Sequence, residues 1–149
     1  MEKFPSPDMD AYAGVLDRRF EALLIDALLV SVVVGILGYV AGLLLVGGTV
    51  GALGGTLLAL QFGAPLGLVA YQAAFEGYYG QTIGKHYRGI VVVKADGSHI
   101  TWGAAAVRNV LRFVDALPLF YLVGIVAASV TDGNQRVGDI AGDTVVVHT

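Results

Sequence analysis

The 149-residue chain has no cysteine, which excludes disulfides, thiolate metal sites and thiol catalysis. Charge is also scarce: Asp, Glu, Lys and Arg make up 14% of residues, against about 25% in ordinary globular domains. Lysines are few and the net charge is −3, a balance that argues against nucleic acid and against a polybasic lipid-binding patch. The largest gap runs from Ala27 to Phe75, where 49 consecutive residues carry no Asp, Glu, Lys or Arg. No soluble domain of this size buries so long an uncharged stretch, so the chain reads as an integral membrane protein whose first partner is the lipid bilayer.

A hydrocarbon core about 30 Å thick takes about 20 helical residues to cross, so the uncharged stretch suits two spans. The spacing predicts transmembrane helices over about 19–45 and 52–75, joined at the glycine-rich segment Val46 to Gly51. A secretory signal is a poorer reading. Its apolar core is about 7 to 15 residues, whereas Ala27 to Val46 is 20 and the leader before it is acid-rich. Residues 1–12 read as a loose N-terminal tail to a single domain that fills the rest of the chain.

Cations flank the two spans on the outside of the pair: Lys3, Arg18 and Arg19 before the first, and Lys85, Arg88 and Lys94 after the second. The positive-inside rule then places both flanks, and the N-terminus, in the cytoplasm, with the short turn facing outward. The spans contain glycine pairs at four-residue spacing: Gly38 and Gly42, Gly51 and Gly55, Gly63 and Gly67. In lipid, where apolar burial gives helices little reason to associate, such pairs let backbones approach closely, either within one chain or in a dimer. Pro65 is expected to kink the second span. Gln61 and Gln72 are polar there and suit hydrogen bonds between helices.

After Glu76 the character changes. Ile90 to Val93 has strong strand preference and Asp96-Gly97 is a favoured two-residue turn, so a β-hairpin is expected over about 90–101. The segment Gln81-Thr-Ile-Gly84-Lys85-His-Tyr-Arg-Gly-Ile-Val-Val-Val is echoed without gaps by Gln135-Arg136-Val-Gly138-Asp139-Ile-Ala-Gly-Asp-Thr-Val-Val-Val. If the echo is structural, Val91 to Val93 pairs with Val145 to Val147, giving a small cytoplasmic sheet from about 90–101 and 144–148. Both strands then lie on one side of the membrane. The intervening helical hairpin, about 103–130, is interfacial or re-entrant, or else a third span. Its uncharged run from Ala116 to Thr131 is 16 residues, short for a crossing. On its first half Arg108, Arg112 and Asp115 fall at i, i+4 and i+7, one polar stripe on an apolar helix that faces the other helices or the headgroups.

Arg19 and Asp26 are seven residues apart on one helix face, roughly 10 Å along the axis, and do not touch each other directly. A carboxylate within a spanning helix costs about 2.5 to 3.5 kcal/mol on insertion scales. Two devices lower that cost: a raised pKa that keeps the group neutral, or an ion pair with Arg108 or Arg112. Asp26 is therefore either half of a structural ion pair or a proton- or cation-binding group in a pathway.

Four motifs carry a family resemblance: Arg-Arg-Phe-Glu-Ala-Leu-Leu-Ile-Asp26, then Gly-Gln-Thr-Ile-Gly-Lys with Gly-Ile-Val-Val-Val and Asp-Gly, then Arg-Asn-Val-Leu-Arg-Phe-Val-Asp115, then Gln-Arg-Val-Gly-Asp-Ile-Ala-Gly-Asp-Thr-Val-Val-Val. In this order they resemble the RDD family of small prokaryotic membrane proteins. The family is named for an arginine and two aspartates. The resemblance maps the arginine to Arg19, the first aspartate to Asp26, and the second to Asp115 or Asp139. Ala141-Gly142-Asp143-Thr144 departs from the pattern by an extra acid where an aliphatic residue would stand. The resemblance implies transport of unidentified ligands, with cation/proton antiport proposed for some members.

No further chemistry stands out. His86, His99 and His148 have no fixed carboxylate or thiolate beside them to make a metal site. Gly77, Gly80, Gly84 and Lys85 lack the spacing and following hydroxyl of a phosphate loop. No Ser/His/Asp arrangement is recognisable. The chain is read as a non-enzyme without cofactors. Two functions stand: a transporter in the cell membrane, homo-oligomeric or working with a partner membrane protein and moving monovalent cations and protons, or a membrane scaffold with a cytoplasmic docking surface.

Overall fold

The computed structural model describes residues 1–10, 15–115 and 135–149. Helix α1, Val15–Leu45, is 31 residues long, about 45 Å at 1.5 Å per residue. It begins a turn before the predicted start. A two-residue turn, with Gly47 at φ +83° and Gly48 at φ +63°, reverses the chain, a conformation only glycine adopts without strain. Helix α2, Gly48–Leu58, follows, then a π turn over Ala59–Gly63 and helix α3, Ala64–Tyr79. Pro65 sits in the first turn of α3. Its ring and missing N–H disturb the ladder one turn back, and the wider π turn lies there in place of a plain α-helical kink.

Both long helices are long and apolar enough to cross a membrane, and their apolar residues point outward. Leu28, Ile36, Leu44, Leu57, Phe62 and Leu66 are exposed. The buried stripe of α1 is instead Val15, Arg19, Ala22, Asp26 and Val30, then Gly38 and Gly42. This inverts the pattern of a soluble core helix. Two of the three glycine pairs meet each other within the chain, and Gly63 and Gly67 face Val30 and Val34 of α1. A Cβ on Gly38 would fall 2.5 Å from the Gly55 carbonyl oxygen, and one on Gly42 would fall 2.0 Å from that of Gly51. Gln72 is buried between helices, whereas Gln61 is exposed.

Strands β1, Ile90–Lys94, and β2, Thr144–His148, form a two-stranded antiparallel sheet. Val91 pairs with Val147, Val92 with Val146 and Val93 with Val145. Short helices precede them at matching positions, α4 at Ile83–Tyr87 and, after the longer helix α5 at Trp102–Asp115, α6 at Val137–Ala141. The echo is therefore structural, and its pseudo-twofold axis passes through the Val92–Val146 pair. It also accounts for the extra acid: Asp143, at φ +51°, takes the left-handed turn before β2 that Gly89, at φ +63°, takes before β1. Aspartate tolerates that conformation better than an aliphatic residue does.

The predicted hairpin is corrected. Beyond the turn at Gly97 only an isolated bridge, Val93 to His99, forms; it lies on the edge of β1 opposite β2, where the Val92 N–H already donates to the Gly80 carbonyl at 2.8 Å. Both sheet faces are covered, Ile90, Val92 and Val146 packing with Val15, Ala22 and Ala105, and the opposite face with Met9. That explains four apolar residues in a row instead of an alternation. Residues 1–10 of the segment expected to be a loose tail lie along this module. Phe4 N–H donates to the Tyr79 carbonyl at 3.0 Å, Asp8 N–H to the His148 carbonyl at 2.9 Å, and the Phe4 ring stacks on His99 at 4.2 Å.

Helix α5 turns Arg108 and Asn109 inward and Trp102, Val107 and Val110 outward. The second half of the expected helical hairpin, to residue 130, lies outside the described residues, as does the choice between a re-entrant segment and a third span.

Candidate functional site

Buried charge collects where α1, α3 and α5 meet the two short helices. Asp26 is fully buried and accepts four hydrogen bonds: from Tyr71 Oη at 3.1 Å, Gln72 Nε2 at 3.4 Å, Thr82 Oγ1 at 2.6 Å and the Gly84 backbone N–H at 2.8 Å. These donors match the roughly four lone-pair sites of a carboxylate. Glycine at 84 makes the approach feasible, since a Cβ there would lie 2.2 Å from the Ala22 carbonyl oxygen. The expected ion pair of Asp26 with Arg108 or Arg112 is corrected by this geometry. Arg112 donates to the amide oxygen of Gln72, whose nitrogen donates in turn to Asp26. Arg108 is drawn instead to two other carboxylates.

Those carboxylates are Glu76 and Asp139. Glu76 is ion-paired with Lys85, accepts from Asn109 Nδ2 at 2.8 Å, and lies 3.6 Å from Arg108 Nε. Asp139 is ion-paired with Arg19, meets Arg108 Nη2 at 2.8 Å, and accepts from the Arg136 backbone N–H at 3.1 Å. One guanidinium thus bridges both acids. Gly138 permits this, because a Cβ there would fall 2.6 Å from the Arg108 carbonyl oxygen. Helix α6 rests on α5 as α4 rests on α1. Lys85 and Asp139 occupy equivalent positions of the echo with opposite charge, and each finds its counter-charge on a long helix.

Burial alone would raise the Asp139 carboxyl, but Arg19 and Arg108 outweigh it and hold the group well below the ordinary carboxylate range. Burial, with Arg108 and Arg112, pushes the Lys85 ammonium down to about 7 against the pull of Glu76. For Asp139 the folded pKa lies below the unfolded value of about 3.9. Its stabilisation is therefore complete above that value and is lost as pH falls below it. Thermal unfolding in detergent is expected to show a stability loss beginning below about pH 4 that is smaller when Asp139 is replaced by asparagine.

Of the sequence-predicted residues, Arg19, Lys85, Arg108 and Asp139 belong to one cluster, with Asp26 and Arg112 joined to it through Gln72. Asp115 ends α5, and its side chain lies outside the described residues. Gln81 Nε2 lies 3.3 Å from His86 Nδ1, and Gln135 Nε2 donates to the Thr144 carbonyl at 2.8 Å, so both tie the module together. Glu76, Tyr71, Thr82 and Asn109 were not singled out from sequence. Glu76 did carry a signal: it is the first charge after the 49 uncharged residues and sits one turn from Gln72. Among the described residues no group of three or more metal-ligating side chains comes together. A pocket of about 330 Å³ lined by Glu2, Pro5, Ser6, Gln81, His86 and Thr149 lies under the N-terminal segment, not within the ionic cluster.

The RDD family model matches residues 12–143, most of the chain and every element of the cluster. No curated protein and no solved structure matches it.

Proposed function

The chain belongs to the RDD family, and we propose that it is a multi-pass membrane protein in which Asp26 exchanges a proton for a monovalent cation. Insertion is supported by the outward apolar faces of α1 and of α2 to α3, and the flanking cations favour a cytoplasmic N-terminus in the cell membrane. Pairing of β1 with β2 favours a chain that returns, between them, to the side it left.

The observation that carries the reading is the company Asp26 keeps. Glu76 and Asp139 are each matched by cations, so protonating either would strand a buried guanidinium or ammonium. Of the three buried acids, Asp26 is the one that has only neutral donors among the described residues. Its charge is balanced by dipoles that can turn, and the oxygens of Tyr71 and Thr82 are at hand as ligands for a hard monovalent cation. Two spans enclose no ion path by themselves, so transport requires a homo-oligomer or a partner membrane protein.

In everted vesicles from an antiporter-deficient host, sodium addition is expected to move protons, read by a pH-sensitive dye. Asp26→Asn abolishes the signal with the protein still inserted. Wild-type-like exchange by that variant overturns the reading.

A second reading, a membrane scaffold that presents the cytoplasmic module to a partner protein, is favoured by the ion pairs themselves. They join α1, α3, α4, α5 and α6 into one clamp. Absence of any exchange signal from inserted wild-type protein selects it.

A further inference from the structure

The cluster has more cations than acids among its described members: Arg19, Lys85, Arg108, Arg112 and Arg136 against Asp26, Glu76 and Asp139. Arginine leads even with Lys85 neutral. The excess is concentrated where α5 meets the start of α6, and two guanidinium groups there are incomplete. Arg108 is 5% exposed, and its Nη1 is buried without a hydrogen-bond partner. The Arg136 guanidinium has no ion pair or hydrogen-bond acceptor among the described residues, although it lies within range of the charges of Arg19, Arg112 and Arg108 and of the Asp139 carboxylate. Arg112, one turn along α5 from Arg108, donates to the neutral amide of Gln72 and forms no ion pair among the described residues. A buried guanidinium N–H without an acceptor is costly, and like charges gathered in a half-buried site repel unless an anion joins them.

We propose that Arg108, Arg112 and Arg136 form a binding site for one phosphate-class oxyanion. The three guanidinium groups lie within electrostatic range of one another, and planar forks suit bidentate bonding with tetrahedral phosphate oxygens. An anion of one or two negative charges matches the surplus. The half-buried Arg136 is the accessible side of the site, and the orphaned nitrogen of Arg108 is its buried donor. Two sources supply this chemistry: free phosphate in the cytoplasm, or the phosphate of an anionic lipid headgroup. The lipid source rests on membrane insertion. Neither source rests on ion exchange at Asp26, so the vesicle assay can fail without touching the proposal.

The test is thermal unfolding of the full chain in detergent. One arm adds sodium phosphate against sodium chloride at equal ionic strength. The other adds phosphatidylglycerol against phosphatidylcholine. Wild-type protein is expected to be stabilised in at least one arm, and Arg136→Gln to weaken the apparent affinity about tenfold or more, the loss of one or two charge-assisted bonds. Arg136→Lys, which keeps the charge and loses the fork, falls between, and guards against misfolding of the first variant. Stabilisation by phosphate identifies the free anion; stabilisation by phosphatidylglycerol alone identifies the lipid. If neither stabilises the wild type, or if Arg136→Gln and Arg112→Gln both respond as wild type does, the site does not exist.

Discussion

Replacing Asp139 by asparagine is expected to lower the stability of the folded protein by about 3 to 5 kcal/mol, the usual penalty for breaking a buried ion pair by removing one partner. Asparagine preserves the shape and removes the charge. Arg19, on α1, and Arg108, on α5, then lose the Asp139 carboxylate while staying buried, and Arg108 keeps the more distant Glu76. Arg112 and Arg136 add repulsion to the same place. Denaturant unfolding in detergent, followed by the fluorescence of the single tryptophan, Trp102, reads the effect. The companion change Arg19→Gln is expected to be costly for the same reason. The double variant should lose clearly less than the sum of the two, since neither charge is then stranded by the other's removal. Additive losses would mean that the pair is not coupled in the folded protein, and the clamp formed by α1 and α6 would have to be abandoned.

The parts of this arrangement that were legible in the sequence share a physical cause. An absence of charge over 49 residues has few explanations, and the two long helices followed from it. The thirteen-residue echo was strong enough to predict that Val91 to Val93 and Val145 to Val147 would pair, which they do in register. What sequence could not specify was which acid each base would meet. Arg19 and Asp139 are 120 positions apart, and no local spacing links them. The partners that sequence offers Asp26 are Arg108 and Arg112, because charges are visible in a sequence. The Tyr71 hydroxyl, the Gln72 amide and the backbone N–H of Gly84 carry no such mark. The Asp-Gly turn was read correctly as a turn, yet nothing local marks the Gly80 carbonyl as the acceptor of the Val92 N–H on the edge of β1 that a longer second arm would need.

Gly84→Ala is expected to be the most damaging single methyl in the module built on the two strands. The added carbon would lie 2.2 Å from the Ala22 carbonyl oxygen and 2.9 Å from Asp26 Oδ1. The first of these is backbone, so α4 must move away from α1 instead of a side chain turning aside. Overpacking of this kind costs about 1 to 3 kcal/mol, occasionally more. Retreat of α4 also lengthens two of the shortest bonds to Asp26, those from Thr82 Oγ1 at 2.6 Å and from the Gly84 N–H at 2.8 Å. Bonds to a charged acceptor are worth about 1.5 to 3 kcal/mol each, so the combined loss should exceed that of an ordinary overpacked position. Gly138→Ala, at the equivalent site on α6, meets the Arg108 carbonyl oxygen at 2.6 Å and should be less harmful. Gly54→Ala on α2 meets nothing within 4 Å, and the better helix propensity of alanine should leave it neutral or slightly stabilised. Melting temperatures in detergent should therefore rise from Gly84→Ala through Gly138→Ala to wild type, with Gly54→Ala at or above wild type. A Gly84→Ala protein as stable as wild type would mean that α4 does not rest on α1 at Ala22. The four-donor cradle of Asp26, and with it the argument that this carboxylate differs from Glu76 and Asp139, would then lose its support.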